Sequence, residues 1–222
     1  ALNDKTSVSV GAGAVGTITS TSTTTIDLTA TGILWKSGIN VTGTTGNDTI
    51  TATGGDDTIT GGVGADVLAG GAGADTFVFA AGDAGPISGT VFDIVRDYTG
   101  GAGGDTLSLN GAAVQLNFLS VDVKGAITGG SNSEEVTASS TEGVITLSGD
   151  DVSTIDTLDE WLAVARLVVT TEGTVAAFEF SGDTYVYQEN TGGDLLIQLE
   201  NVVDISVVGT VAAPNTILVA FA

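Results

Sequence analysis

Residues 61–79 read GGVGADVLAGGAGADTFVF, in which nine residues are followed at once by a near copy. Two further copies precede them, so four nonapeptides run without interruption from residue 43 to residue 78: GTTGNDTIT, ATGGDDTIT, GGVGADVLA and GGAGADTFV. Aspartate holds the sixth place in every copy, and a large apolar residue holds the eighth. This regular spacing predicts a repeat architecture, in which each unit buries its apolar residue by stacking on its neighbours.

Each place in the nonapeptide has a physical role. Glycine at the first places permits a positive φ, so the chain can turn tightly and direct its carbonyl groups into one space. Carbonyl and carboxylate oxygens are the ligands that Ca²⁺ prefers, in shells of about six to eight. One loop supplies too few of them, so we expect two stacked loops to complete a shell. The last residues of each unit are predicted to form a short strand whose eighth side chain points inward, at Ile50, Ile59, Leu68 and Phe77.

The whole pattern, GGxGxDxUx, is typical of calcium-binding β-helix repeats. A metal-free glycine-rich solenoid would explain the glycines and the apolar residues, but stacked carboxylates at every sixth place would repel one another. We therefore predict several bound Ca²⁺ ions. The predicted ligands are the aspartates and the loop glycines of the repeats: Asp48, Asp57, Asp66, Asp75, Gly43, Gly46, Gly55, Gly61, Gly62, Gly64, Gly70, Gly71 and Gly73.

The four nonapeptides resemble those of the RTX (repeat-in-toxin) family. The resemblance implies a right-handed parallel β-roll, in which two nonapeptides complete one coil and repeats i and i+2 stack. The loops of Asp48 and Asp66 would then face one another on one edge, and those of Asp57 and Asp75 on the other. About two complete calcium sites are expected, with more where flanking loops complete the end shells. Thr44 and the pair 52–53 replace glycines, so the first two repeats depart from the pattern.

The composition excludes several classes of function. Five Lys and Arg residues stand against 27 Asp and Glu residues, which disfavours nucleic acid and anionic membrane surfaces and suits cations. The absence of Cys and His excludes a thiol nucleophile, a Ser-His-Asp triad and the common zinc sites. The sequence has no apolar run long enough for a transmembrane helix. We therefore predict a protein that is not an enzyme and has no transmembrane segment.

The segment 91–111, VFDIVRDYTGGAGGDTLSLNG, resembles the stretch that follows β-rolls in secreted serralysin-like and adhesin-like proteins. Within it, residues 100–108 match the nonapeptide again, but out of phase, since Asp105 lies 30 residues after Asp75. Asp93, Asp97 and Asp105 are predicted to form a further calcium cluster. In the alternative interpretation, Asp93 and Asp97 only cap the ends of strands.

The remaining pattern predicts one helix and several antiparallel strands. The residues from Thr157 to Glu160 form a capping box, and apolar residues follow at helical spacing. The segments 174–180, 184–188 and 195–199 read as a meander joined by glycine-containing turns. The predicted fold is all-β: a short parallel β-roll followed by a β-sandwich-like or antiparallel β region with one short helix. The predicted domains are a Thr/Ser-rich β segment (1–42), the roll (43–80) and a C-terminal β domain with a secretion-signal end (81–222).

The segment 178–206, FEFSGDTYVYQENTGGDLLIQLENVVDIS, resembles the C-terminal ending of bacterial surface-layer proteins of the RTX type. Such proteins leave the cell through a type I secretion channel, and NTILVAFA (215–222) fits either the end of an export signal or an ordinary final strand. The resemblance implies a secreted, cell-surface protein that folds on Ca²⁺ after export and associates with its own copies in a two-dimensional lattice. The alternative is the secretion and folding module of a type I secreted exoenzyme, toxin or adhesin. The chain lacks an initial Met, so we expect it to be a fragment or a processed chain.

Two weaker signals are interpreted as structural. Residues 11–16 match GxGxxG, but a dinucleotide site needs a helix directly afterwards, and the β-branched run that follows disfavours one. Trp35 and Trp161 could belong to a sugar site, but isolated tryptophans more commonly lie in a core.

Overall fold

The computed structural model describes residues 7–9, 16–20, 25–29, 38–83, 91–101, 103–109, 113–114, 118–122, 136–149, 152, 155–210 and 216–221. These residues form nineteen strands and one α-helix. The strands of the first half are β1 (Ser7–Ser9), β2 (Gly16–Thr19), β3 (Thr25–Asp27), β4 (Ile39–Thr42), β5 (Thr49–Thr51), β6 (Thr58–Thr60), β7 (Val67–Ala69), β8 (Thr76–Phe79), β9 (Asp93–Val95) and β10 (Thr106–Leu109). The second half comprises β11 (Ala113–Val114), β12 (Phe118–Asp122), β13 (Val136–Thr141), β14 (Val144–Gly149), α1 (Leu158–Val168), β15 (Thr174–Phe180), β16 (Asp183–Gln188), β17 (Leu195–Leu199), β18 (Ile205–Thr210) and β19 (Thr216–Phe221).

The strands of the repeats form a parallel β-roll. Successive strands alternate between two sheets, so β5 pairs with β7 and β6 pairs with β8, each in parallel. The register places Ile50 beside Leu68 and Ile59 beside Phe77, so one coil consumes two nonapeptides. All four of these side chains are fully buried in one core shared by both sheets. The predicted inward direction of the eighth place is therefore confirmed.

The parallel pairing continues past both ends of the four repeats. Upstream, β2 pairs with β4 and β3 pairs with β5; downstream, β7 pairs with β9 and β8 pairs with β10. The domain boundaries at 42/43 and 80/81 stay a prediction, and the strand pairing runs across both positions. Gly16 opens strand β2 rather than a helix, while residues 11–15 and Trp35 lie outside the described residues.

Strands from the second half extend the same two sheets. One sheet has the order β1-β2-β4-β6-β8-β10-β19-β18, and the other runs β12-β13-β14-β15-β16-β17-β9-β7-β5-β3. The meander β15-β16-β17 is antiparallel as predicted, and β17 then joins β9 in parallel. The nearly all-β fold, with parallel strands consistent with a β-roll and one helix, is confirmed.

Helix α1 packs on the sheet that contains β15, on the face that points away from the roll. Alternate residues of β15 enter two cores, since Ala177 packs with the roll and Phe178 packs with α1. Thr157 caps the helix and shares the predicted capping box with Glu160. Trp161 stacks on Phe178 with ring centroids 5.1 Å apart, so this tryptophan packs against the core between α1 and β15. No helix in the described part of the chain has both the length and the apolar character needed to span a membrane.

Candidate metal centre

The loops of the repeats lie along two edges of the roll. On the first edge, loop 61–66 stacks on loop 43–48; on the second edge, loop 70–75 stacks on loop 52–57. We call 43–48 and 52–57 the threonine loops, after Thr44 and Thr53 at their second places. We call 61–66 and 70–75 the glycine loops, since glycine holds their first, second and fourth places.

One oxygen of each aspartate ties a coil to the coil before it. The Asp48 N–H donates to Asp66 Oδ1 and the Asp57 N–H donates to Asp75 Oδ1, each at 2.8 Å. The same contact recurs from Asp66 to Asp93 and from Asp75 to Asp105, at 2.9 Å. These aspartates form two continuous buried rows, one on each edge.

The second oxygen of the aspartate has no partner in the glycine loops. Asp66 and Asp75 are each 1% exposed, and their Oδ2 atoms accept no hydrogen bond from the described residues. Burial raises the pKa of Asp66 to about 6 and that of Asp75 to about 7, and neighbouring carboxylates add to both shifts. A buried carboxylate oxygen without a donor is costly, so each glycine loop calls for a cation or a proton.

The threonine loops satisfy the same oxygen internally. Asp48 Oδ2 accepts the Thr44 N–H at 2.6 Å and the Thr44 hydroxyl at 2.7 Å. Asp57 Oδ2 accepts the Thr53 N–H at 2.7 Å and the Thr53 hydroxyl at 2.8 Å. The two classes of loop therefore differ at the carboxylate itself, although their aspartates occupy the same place in the repeat.

The backbone of the glycine loops fits an oxygen-rich cation site. Gly62 and Gly71 have φ values of 102° and 98°, and a Cβ at either would lie closer than 3.0 Å to the Thr44 or Thr53 carbonyl oxygen of the loop below. The backbone thus brings main-chain oxygens of stacked loops beside a buried carboxylate. These hard oxygen donors are the ligands that Ca²⁺ prefers, so the residues present fit this ion.

The other glycines predicted as ligands lie at the contacts between stacked loops. A Cβ at Gly64 or Gly73 would meet the backbone of Gly46 or Gly55, respectively. Gly61 and Gly70 lie directly against the carboxylates of Asp66 and Asp75, and Gly43 lies against the Gly61 carbonyl group. The structure therefore brings all the predicted loop residues to the two edges. Their role as ligands stays a prediction.

The predicted cluster of Asp93, Asp97 and Asp105 is not formed. Asp93 lies on the first edge above Asp66, whereas Asp105 lies on the second edge above Asp75. Asp97 also lies on the second edge, where its carboxylate accepts the N–H groups of Gly70 and Gly71 at 2.9 and 2.8 Å. Strand β9 separates residue 93 from residue 97, so the two carboxylates leave opposite ends of one strand.

Sequence reasoning missed Asp83, which lies on the first edge. Its carbonyl oxygen accepts the Gly64 N–H at 2.8 Å, and its carboxylate accepts the Ala80 N–H. Burial is the largest cause that raises the pKa of Asp93, which reaches about 8, and the negative charges of Asp66 and Asp83 add to the shift. The only sequence signal for Asp83 is its position directly after a glycine, outside the nine-residue spacing.

The carboxylates alone do not build a metal site. Within the described ranges, no group of three or more acidic side chains converges on one point. Main-chain carbonyl groups must therefore supply much of any calcium shell, which explains the need for loops that stack closely.

Comparison with known protein families agrees with this geometry. Residues 42–77 match a family model described as the RTX calcium-binding nonapeptide repeat, in four copies. No curated protein matches the chain. Repeats of this family are structural rather than catalytic, and they are typical of secreted proteins. The chain thus carries four RTX nonapeptide repeats between residues 42 and 77, and such repeats bind several Ca²⁺ ions.

Proposed function

We propose that the chain is the calcium-dependent structural module of a secreted surface-layer protein, and that it has no catalytic role. It folds when Ca²⁺ binds after type I export and then supports the assembly of a lattice. The observation that carries the proposal is the pair of buried, unpartnered carboxylate oxygens of Asp66 and Asp75, one on each edge of a calcium-binding repeat segment.

Charge explains why calcium would control folding. The chain has a net charge of −22, and the described residues contain two ion pairs, Arg96–Glu200 and Arg166–Asp194, both partly exposed. Without a cation, the rows of buried aspartates repel one another and oppose folding. Calcium is scarce in the cytosol, whereas extracellular modules bind it at about 10⁻⁴–10⁻³ M. The module therefore stays unfolded inside the cell and folds outside it.

The position of strand β19 supports export before folding. This strand covers most of the segment proposed as the end of the export signal, and it pairs with both β10 and β18. The buried Tyr98 hydroxyl also accepts the Val219 N–H at 2.9 Å. A secretion machine could read this segment only while it is free of the sheet, that is, in the unfolded chain.

The side chains that we propose to hold the ions are Asp66 on the first edge and Asp75 on the second. Asp48 and Asp57 are also predicted as ligands from the sequence, but threonines satisfy their Oδ2 atoms. Main-chain oxygens of the stacked loops, including those of Thr44 and Thr53, would complete the shells. The bound ions would supply positive charge between the aspartate rows, and the chain itself would supply the stacked loops and the buried apolar core that fix the coils.

Circular dichroism tests the folding step. The protein in EGTA should show a largely disordered spectrum, and millimolar Ca²⁺ should convert it to a β spectrum. Identical spectra under the two conditions would overturn calcium-dependent folding.

Electron microscopy of the calcium-loaded protein tests the surface-layer assignment. Ordered two-dimensional sheets would support it. Monodisperse particles would contradict it and favour the alternative, the folding module of a secreted exoenzyme, toxin or adhesin.

A further inference from the structure

The second place of the repeat decides how the aspartate four residues later is satisfied. In the threonine loops, the residue at this place donates both its N–H and its hydroxyl to Oδ2 of Asp48 or Asp57. In the glycine loops, no side chain exists at this place, and the same Oδ2 atom of Asp66 or Asp75 has no donor in the described structure. The contrast occurs twice, once on each edge.

The two classes of loop also differ in their backbone conformation at the second place. Gly62 and Gly71 adopt positive φ values, which a threonine would rarely adopt. Thr44 and Thr53, which are within the described residues, are not among those with positive φ. A threonine loop thus turns its second residue toward the carboxylate, whereas a glycine loop turns its backbone toward the carbonyl group of the loop below.

A third threonine cap occurs beyond the repeats on the second edge. Asp105 Oδ2 accepts the Thr99 N–H at 2.7 Å and the Thr99 hydroxyl at 3.1 Å. Asp75, whose Oδ2 has no donor, therefore lies between two aspartates, Asp57 and Asp105, that threonines satisfy. Among the described aspartates of this row, only Asp75 has a buried Oδ2 to which no described residue donates.

We propose that threonine caps take the place of calcium and limit each edge of the repeats to one ion. This inference rests on the proposed calcium binding, and it states which loops bind no ion of their own. The hydroxyls of Thr44 and Thr53 do for Asp48 and Asp57 what a cation does for Asp66 and Asp75. The coil of β4 and β5 then needs no metal of its own once calcium has ordered the coil that stacks on it.

Counting bound ions in the intact chain tests the proposal. Native mass spectrometry and isothermal titration calorimetry should find about two ions in the repeats of the wild-type protein. The double variant T44G/T53G restores glycine and removes both hydroxyls from Asp48 Oδ2 and Asp57 Oδ2, so its count should rise above that of the wild type. The matched control is T45G, which removes an exposed threonine from the same loop and should leave the count unchanged.

Two outcomes would overturn the proposal. One is a wild-type protein that already binds more than about two ions in the repeats. The other is a T44G/T53G variant that folds with calcium and keeps the wild-type count. A wild-type protein that binds no calcium would overturn the proposed function as well, so the two failures are distinguishable.

Hydrogen exchange keeps the test decisive if the glycine variant does not fold. At a calcium concentration near the Kd, the wild-type segment 39–60 should exchange more slowly than segment 61–79. T44S/T53S keeps both hydroxyls and should preserve this difference, whereas T44A/T53A should abolish it. Equal exchange of the two segments in the wild-type protein would contradict the proposal.

Discussion

The threonine loops and the glycine loops hold their aspartates in the same register, yet they differ in what completes the carboxylate. In a threonine loop, a hydroxyl and an amide of the chain complete it. In a glycine loop, one buried oxygen has no donor among the described residues, and backbone oxygens lie nearby. The glycine loops therefore differ from the threonine loops as much by the donor that they lack as by the backbone oxygens that they offer.

The largest expected effect comes from adding one methyl group to a glycine loop. Gly71→Ala places a Cβ against the Thr53 carbonyl oxygen at a φ of 98°, so we expect a loss of about 2 kcal/mol or more. Urea unfolding at saturating calcium measures this loss. Gly54→Ala is the matched control in a threonine loop, where a Cβ would meet nothing within 4 Å. Similar losses of stability in both variants would show that the two classes of loop tolerate a side chain equally well.

Removal of a glycine-loop carboxylate should cost one ion. Asp75→Ala should abolish calcium binding on the second edge, and Asp66→Ala should abolish it on the first, each leaving the other edge intact. At calcium concentrations about tenfold above Kd, each lost ion lowers stability by roughly 1.4 kcal/mol. Calorimetric titration and thermal unfolding check both effects.

The control for this loss is a threonine-loop carboxylate. Asp57→Ala removes an aspartate whose Oδ2 is already satisfied by Thr53, so it should reduce stability without reducing the number of ions. Loss of an ion in this variant would show that the two classes of loop contribute equally.

Acid should partly replace calcium. The pKa values of Asp66, Asp75 and Asp93 are raised from 3.8 to about 6, 7 and 8, so the folded metal-free chain binds more protons than the unfolded chain across this range. The contribution of these groups is therefore most favourable near pH 4 and is lost as pH rises toward 8. Circular dichroism in EGTA should therefore show more β structure near pH 4 than near pH 8. Calcium affinity should change in the opposite direction and weaken as pH falls, and a calcium affinity independent of pH between 5 and 8 would contradict these shifts.

The smallest expected effect concerns the fifth place of the second repeat. Asp56 accepts the Ala74 N–H of the loop above it at 2.9 Å, from an exposed position. Asp56→Ala should lower stability by only about 0.5 kcal/mol, because water replaces the lost acceptor. A small fall in the thermal midpoint with unchanged calcium binding would show that the fifth place of the repeat, unlike the sixth, does not affect calcium binding.

The periodic part of the fold was predictable from the sequence. Four aspartates and four apolar residues at fixed places fix the loop, the strand and the buried side of each repeat. Ile50 and Leu68 pack as predicted because the 18-residue coil is a direct consequence of nine-residue units that alternate between two sheets. The capping box at Thr157 was equally visible, since it depends on residues three apart.

The other features depend on contacts that no local pattern encodes. Strand β17 joins β9 across about a hundred residues, and β19 joins β10 in the same way. Asp93 continues the row of Asp66 after 27 residues and Asp105 continues the row of Asp75 after 30 residues, and the regular spacing of 18 predicts neither position. The substitution of glycine by Thr44 was visible as a departure from the pattern. Its hydrogen bond to Asp48 was not, because it depends on the backbone conformation of the loop.

The stacking of each repeat on the second one along has a consequence for how such a module grows. An insertion of two nonapeptides adds one complete coil, lengthens the roll by about 4.8 Å and leaves both ends joined to the same strands. An insertion of a single nonapeptide directly after β8 moves every downstream strand to the other sheet, so β9 would meet β8 instead of β7, and β10 would meet the added strand instead of β8. The number of repeats in such a roll can therefore change by two, but not by one, without altering which strands pair.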